Sequence, residues 1–123
     1  LVSNRVQPKT CVEVPVIRLD DIDVGQVSFV KIDVEGFEEQ VLRGFASTLG
    51  ERPPHVILFE QNDERGAPIP YLKEAGYKLY GVPKALLRLR LQQVEQWNLA
   101  FNDYVAISGR LSEDGRDRLA QLT

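Results

Sequence analysis

Two short apolar runs with an amphipathic segment between them constrain the fold of this chain more than any other feature. The runs are Val27–Val34, predicted to be a buried strand, and His55–Glu60, predicted to be a second strand. Between them, large apolar side chains recur at every fourth position: Phe37, Val41, Phe45 and Leu49. This period predicts an amphipathic helix that Gly44 can split. The order strand, helix, strand predicts parallel strands joined by a right-handed crossover.

The later part of the chain continues the alternation of strands and helices. Ile69–Ala75 is predicted to be a short helix that Gly76 ends, because glycine is the usual residue just after a helix. Tyr77–Val82 and Asp103–Ser108 alternate as strands. The stretch 87–97 fits either strand or helix spacing and is left open. The whole pattern predicts an α/β fold around a mainly parallel sheet.

The segment before the first apolar run is predicted to lie at the edge of that sheet. Val12–Leu19 alternates like a strand, but Pro15 lacks a backbone donor and therefore restricts it to an edge. Asp20–Asp23 follows as a turn or a single helical turn. We divide the chain into an edge segment at 1–26, a core at 27–108 and a C-terminal helix or tail at 109–123.

The composition indicates one globular domain and excludes several classes of partner. The chain has 123 residues, 43% of them hydrophobic, and interleaved charges that sum to -3, so no basic surface predicts nucleic-acid binding. No apolar run is long enough to cross a membrane, and the single Cys11 cannot form an internal disulfide. We therefore expect a cytoplasmic protein. Because the sequence begins with Leu1 and contains no methionine, we also expect it to be part of a longer protein.

Several sequence blocks match a known family signature. They are Leu19–Asp21, Lys31–Glu38, Val41–Gly44, Pro54–Glu60, Gly76–Tyr77 and Asn102–Val105. The block KIDVEGFE, followed by VLRG and VILFE, resembles the signature of FkbM-type S-adenosylmethionine-dependent methyltransferases. The resemblance covers most of residues 12–108, and its KIDVEG block is the most specific part.

The resemblance implies the C-terminal half of a Rossmann-like class I methyltransferase fold, with a mostly parallel sheet and an antiparallel last strand. The four predicted core strands would be its fourth to seventh strands. The first three, which carry the glycine-rich turn and the acidic residue that hold S-adenosylmethionine, are not found. Asp23-Val24-Gly25 is only a weak match to such a turn and is rejected. The cofactor-binding residues therefore remain unknown, and binding of the cofactor by this chain is doubtful.

Acidic residues at the ends of the predicted strands are the candidate site. Asp33 and Glu35, two positions apart at a strand end, are expected on one face and are the candidate catalytic proton acceptors. Glu60 ends the next strand, Asn62 follows two residues later, and both are candidate substrate-binding residues. A base role, a bound cation or a basic substrate group would each relieve the repulsion among these carboxylates. We predict no metal, since the resemblance does not call for one. The alternative for Glu35 and Glu38 is structural capping of the next helix.

Other residues with possible chemistry are assigned to the structure of the protein. Trp97, Phe101 and Tyr104 could form an aromatic wall for an acceptor, but a core cluster is the more common use of such residues. His55, beside two prolines, is expected at the surface, and Cys11 has no basic residue next to it in sequence, so neither is a candidate catalytic residue.

Two functions of different classes fit these observations. In the first, the parent protein is an O-methyltransferase of a small hydroxylated acceptor such as a sugar or a polyketide, this chain is the acceptor-side half, and the isolated chain is inactive. In the alternative, the chain is a non-catalytic α/β interaction or dimerisation module. With three strands missing, the Val27–Val34 edge would be free to pair in a homodimer.

Overall fold

A computed structural model describes residues 11–84 and 90–111 of the chain. A 3₁₀ turn at Leu19–Asp21 precedes the regular elements. Five strands and three helices follow in these residues: β1 (Phe29–Ile32), α1 (Glu38–Arg43), α2 (Ala46–Glu51), β2 (Val56–Glu60), α3 (Pro68–Glu74), β3 (Tyr77–Gly81), β4 (Gln92–Val94) and β5 (Asp103–Ser108). The predicted helix or tail at 112–122 lies outside the described residues, and so do positions 85–89.

The described strands form one mixed sheet in the order β1-β2-β5-β3-β4. β1 and β2 are parallel, with Phe29 opposite Val56, whereas β5 runs antiparallel to both β2 and β3. The predicted antiparallel last strand is therefore confirmed. The prediction of a mainly parallel sheet is wrong for the described residues, because β5 inserts between two strands of common direction and because the short β4 adds a third antiparallel ladder.

The segment before β1 does not form the predicted edge strand. Residues 12–18 have no regular structure, and their apolar side chains are exposed: Val12, Val14, Val16 and Ile17. Among the described residues nothing pairs with the outer edge of β1. Phe29 is consequently 57% exposed, and only Ile32 of the strand is buried. The prediction that this first strand is buried is therefore wrong, since burial requires neighbours on both sides.

The predicted helical turn at Asp20 is confirmed, and it attaches the N-terminal segment to the helices. The backbone N–H of Asp20 donates to the carbonyl of Gly44 at 3.0 Å. The Asp20 carboxylate accepts the backbone N–H groups of Ser47 and Thr48 at 2.8 and 3.0 Å. It also accepts the Thr48 hydroxyl at 2.8 Å. Asp20 thus caps the beginning of α2 from 27 residues away in sequence.

The predicted split of the amphipathic helix is confirmed, because α1 ends at Arg43 and α2 begins at Ala46. The apolar side of the two helices and of α3 packs on the sheet. The side chains that are almost fully buried there include Leu42, Ile57, Phe59, Leu72, Leu79 and Tyr104. Phe59 stacks on Tyr104 with ring centroids 5.7 Å apart, and Phe101 packs edge-on against Tyr104 at 6.2 Å. The predicted core role is confirmed for Phe101 and Tyr104.

Candidate functional site

The structure brings Asp33 and Glu60 to the same edge of the sheet. Asp33 directly follows β1, Glu60 is the last residue of β2, and the two strands are parallel. Asp103, the first residue of the antiparallel β5, lies opposite Glu60. These three carboxylates and Lys31 line a small cavity of about 130 Å³, which we call the Asp33 pocket.

Asp33 forms an ion pair with Lys31 in this pocket. The Lys31 ammonium lies 3.1 Å from one carboxylate oxygen of Asp33, and both side chains are more than half exposed. An ion pair this exposed contributes roughly 1 kcal/mol or less, so a ligand can displace the lysine without large cost. Sequence reasoning missed Lys31. Its position two residues before Asp33 was the available signal, because residues at that spacing share a face of a strand.

Glu35 is not beside Asp33 on a strand face as predicted. The strand ends at Ile32, and Glu35 lies in a turn with φ of 49°, followed by Gly36 with φ of 100°. Two successive left-handed residues reverse the chain, so the alternation of a pleated strand no longer applies. Glu35 is exposed and does not line the Asp33 pocket. Its catalytic role stays a prediction.

Glu38 holds this turn in place. Its side chain is buried, and its carboxylate accepts the backbone N–H of Gly36 at 3.0 Å and that of Val34 at 3.4 Å. The first residue of α1 therefore satisfies N–H groups of the turn that precedes the helix. This geometry supports the structural alternative for Glu38.

Glu60 also lines a second cavity of about 130 Å³, together with Glu38, Asn62 and Asp63. We call it the Asn62 pocket. Glu60 thus lies between the two pockets, with Asp33 on one side and Asn62 on the other. The structure therefore brings together three of the four predicted site residues, along the ends of β1 and β2. Among the described residues, the Glu60 carboxylate has no hydrogen-bond or ion-pair partner, although its backbone pairs in the sheet.

Gln61 is the organising residue that sequence reasoning missed. Its side chain is buried and donates to the carbonyls of Asp63 and Gly66, both at 3.0 Å. Its carbonyl oxygen accepts the backbone N–H of Ile69 at 3.1 Å. A Cβ at Gly66 would lie 2.7 Å from the Gln61 side chain, so only glycine fits there. Nothing in the local sequence distinguishes Gln61 from an exposed loop glutamine.

A third cavity of about 430 Å³ lies on the other side of the same loop. It is lined by this loop, by α3 and by the connection between β4 and β5, and includes Trp97; we call it the Trp97 cavity. The Trp97 indole N–H donates to the backbone carbonyl of Gln61 at 3.1 Å. Of the three aromatic residues considered above, Trp97 is only partly buried: it packs against the core cluster and also lines this cavity.

No residue group of the described chain identifies a cofactor or metal site. In residues 11–84 and 90–111, no group of three or more His, Cys, Asp or Glu side chains has an arrangement that could hold a metal ion. The rejected Asp23-Val24-Gly25 motif forms a local turn, in which the Gly25 N–H donates to Asp23 at 3.1 Å. This turn precedes β1 and lies at the opposite end of that strand from Asp33.

The architecture of the site defines an α/β domain with acidic residues at the carboxyl ends of parallel strands, where such domains bind their ligands. Residues 2–79 match the family model described as the methyltransferase FkbM domain. The match covers more than half of the chain, and the chain therefore belongs to the FkbM methyltransferase family. In the comparisons with curated proteins and with solved structures, nothing matches this chain. No helix in the described part of the chain is long and apolar enough to span a membrane.

Proposed function

We propose that the chain is the acceptor-side half of an S-adenosylmethionine-dependent O-methyltransferase domain that acts on a small hydroxylated compound. The observation that carries the proposal is the position of Asp33 and Glu60 at the ends of adjacent parallel strands in a chain of the FkbM family. The antiparallel β5, inserted between β2 and β3, supports the assignment of β1, β2, β3 and β5 to the last four strands of a Rossmann-like methyltransferase sheet. A cytoplasmic location is part of the proposal, supported by the single cysteine.

The chemistry asked of this chain is modest. The bound cofactor supplies an activated methyl group, and the protein has to orient the acceptor hydroxyl and accept its proton. Asp33 is the candidate proton acceptor, because one of its carboxylate oxygens pairs with Lys31 and the other accepts no hydrogen bond within the described residues. Glu60 and Asn62 are candidates to bind further hydroxyl groups of the acceptor.

The described residues do not fit the cofactor itself. The glycine turn at Gly25 is local and lines none of the three pockets described above. In the proposal, the contacts to S-adenosylmethionine therefore come from a preceding half of the domain. Titration calorimetry of S-adenosylmethionine into the 123-residue chain should give negligible heat. Micromolar affinity would contradict this division of the domain.

The catalytic assignment is tested in a longer protein that includes the preceding half. Asp33→Asn should lower turnover strongly and leave the dissociation constant of S-adenosylmethionine nearly unchanged, because the role of Asp33 is on the acceptor side. Asp23→Asn, an equivalent change outside the site, is the control. Unchanged turnover in Asp33→Asn would make Asp33 a structural residue.

A second candidate function is a dimerisation module, which the exposed apolar side chains around β1 favour. Phe29 and Phe37 are 57% and 64% exposed, and among the described residues the outer edge of β1 has no partner strand. Such an edge can pair with a second copy of the chain. Sedimentation should then show a species heavier than the 13.9 kDa chain. Phe29→Lys should dissociate this species, whereas the control Leu99→Lys, at an exposed position elsewhere, should not. A monomer at micromolar concentration would contradict the dimer.

A further inference from the structure

The Trp97 cavity has the size of a small-molecule site. Its volume of about 430 Å³ lies in the range of ligand pockets, roughly 300–1,000 Å³. Its walls come from three separate parts of the chain, which direct bonds hold together. Trp97 is bonded to Gln61, as described above, and the Lys73 ammonium binds both the carbonyl and the carboxylate of Glu95, at 2.7 and 2.9 Å. The Trp97 bond joins one wall to the loop, whereas the Lys73–Glu95 pair is exposed and can rearrange around a ligand.

The charges lining the cavity are unbalanced. Three carboxylates, those of Glu64, Glu74 and Glu95, face a single cation, Lys73. Lys73 is already engaged by Glu95, and its hydrogen bond lowers the pKa of the Glu95 carboxyl, which keeps that group ionised. Within residues 11–84 and 90–111, the carboxylates of Glu64 and Glu74 have no ion-pair or hydrogen-bond partner. An anionic ligand would therefore be repelled, whereas a cation would find two carboxylates to pair with.

The indole of Trp97 adds an apolar wall to this acidic lining, next to Ile69 and Pro70. An indole ring attracts cations and the C–H faces of ring compounds. Hydroxyl and ammonium groups donate hydrogen bonds to carboxylates, which only accept them. The combination suits a ring with donors around its rim and an apolar face.

The cavity also adjoins the predicted site. Gln61 and Gly66 line both the Trp97 cavity and the Asn62 pocket, and Glu60 lies in the latter. A ring in the Trp97 cavity would therefore lie beside the strand end that carries Glu60.

We propose that the Trp97 cavity binds the methyl acceptor, and that this acceptor is a hydroxylated ring carrying a protonated amine, of the amino-sugar class. That this ligand is the methyl acceptor rests on the proposed function. The binding itself does not, because it involves neither the cofactor nor Asp33.

The chain contains a single tryptophan, so its fluorescence reports on this cavity alone. Three matched probes are titrated into the 123-residue chain at low salt: methyl glucosaminide, methyl glucoside and methyl glucuronide, which carry an amine, no charge and a carboxylate. We expect a saturable change in emission with the amine, at millimolar or lower concentration, a weaker one with the neutral sugar and none with the uronate. Added salt should weaken binding of the amine, because its charge carries the preference.

Removing two carboxylates tests the assignment directly. Glu64→Gln together with Glu74→Gln should weaken binding of the amine about tenfold, since two exposed ion pairs are lost. Glu13→Gln with Glu51→Gln removes the same charge at exposed positions outside the cavity and should leave binding unchanged. Circular dichroism of both variants verifies folding.

The proposal is overturned if the amine causes no change in emission, if the uronate binds as well as the amine, or if both double variants behave alike. Methyl transfer by the longer protein, without any sugar response of Trp97, would disprove the cavity assignment and leave the proposed function intact. Amine binding at Trp97, with no methyl transfer in the longer protein, would support the cavity assignment and contradict the proposed function.

Discussion

Asp20, which is half-buried, should contribute strongly to the stability of the fold, because its carboxylate caps α2 across a long sequence distance. Asp20→Ala removes the acceptor of two backbone N–H groups and of the Thr48 hydroxyl. Replacing an N-terminal cap by alanine costs about 0.5–2 kcal/mol, and we expect the upper end, about 2 kcal/mol, because both oxygens of a charged group are used. Asp20→Asn keeps one acceptor oxygen and should cost about half as much.

Urea denaturation followed by Trp97 fluorescence measures this loss. With a slope of about 1–3 kcal/mol/M, the midpoint of Asp20→Ala should fall by roughly 1 M, with the slope unchanged. The matched control is Asp21→Ala, which removes a neighbouring carboxylate whose salt bridge is with Arg18 at 2.8 Å, with both side chains mostly exposed. That variant should shift the midpoint far less, since exposed ion pairs contribute about 1 kcal/mol or less.

The same contribution should depend on pH. Partial burial raises the pKa of Asp20, but the hydrogen bonds from Ser47 and Thr48 outweigh that effect, and the net pKa is lowered. A group with a lowered pKa in the folded state stabilises the fold above its unfolded pKa of about 3.9 and loses this effect as the pH falls below it. The difference between the native chain and Asp20→Ala should therefore be constant near neutral pH and shrink below about pH 4. The reasoning is refuted if Asp20→Ala destabilises no more than Asp21→Ala, or if the difference persists in acid.

Three further substitutions, one of them with a matched control, test the loop, the turn and the core. Gly66→Ala should destabilise by about 1–3 kcal/mol, since the new Cβ would lie 2.7 Å from the Gln61 side chain. Its control, Gly50→Ala in α2, meets open space and should stabilise by up to about 1 kcal/mol. Thermal denaturation compares the two variants. Gly36→Ala should cost about 1–2 kcal/mol in the same assay, because its φ of 100° is unfavourable for any residue with a Cβ, and a loss no larger than measurement error would contradict this turn. Tyr104→Phe should cost about 1 kcal/mol, because the hydroxyl accepts the backbone N–H of Asn98 at 3.1 Å and donates to the Asn98 carbonyl at 3.0 Å. Equal denaturation midpoints for the variant and the native chain would show that these bonds contribute nothing.

The candidate site was partly predictable from the sequence. The positions of Asp33 and Glu60 follow from the rule that parallel strands end at a common edge, and the structure places both there. Glu35 departs from prediction because the strand ends one residue before Asp33, and no local pattern shows where a pleat gives way to a left-handed turn. Gln61 was missed because nothing in the local sequence distinguishes it from an exposed loop glutamine. The cavity beside Trp97 was missed because the bond that positions its indole joins residues 36 positions apart.

The sequence by itself determined where β2, β5 and the helices lie, because hydrophobic spacing is a local property. A spacing of two residues places side chains on one face of a strand, and a spacing of four places them on one face of a helix. The split of the amphipathic helix at Gly44 is of the same kind. Only the tertiary structure decided which strands pair. It placed β5 between β2 and β3, left the outer edge of β1 without a partner strand among the described residues, and kept residues 12–18 out of the sheet. Pairing depends on partners distant in sequence, and the same holds for the Asp20 cap of α2 and for the walls of the Trp97 cavity, whose residues meet only once the sheet has formed.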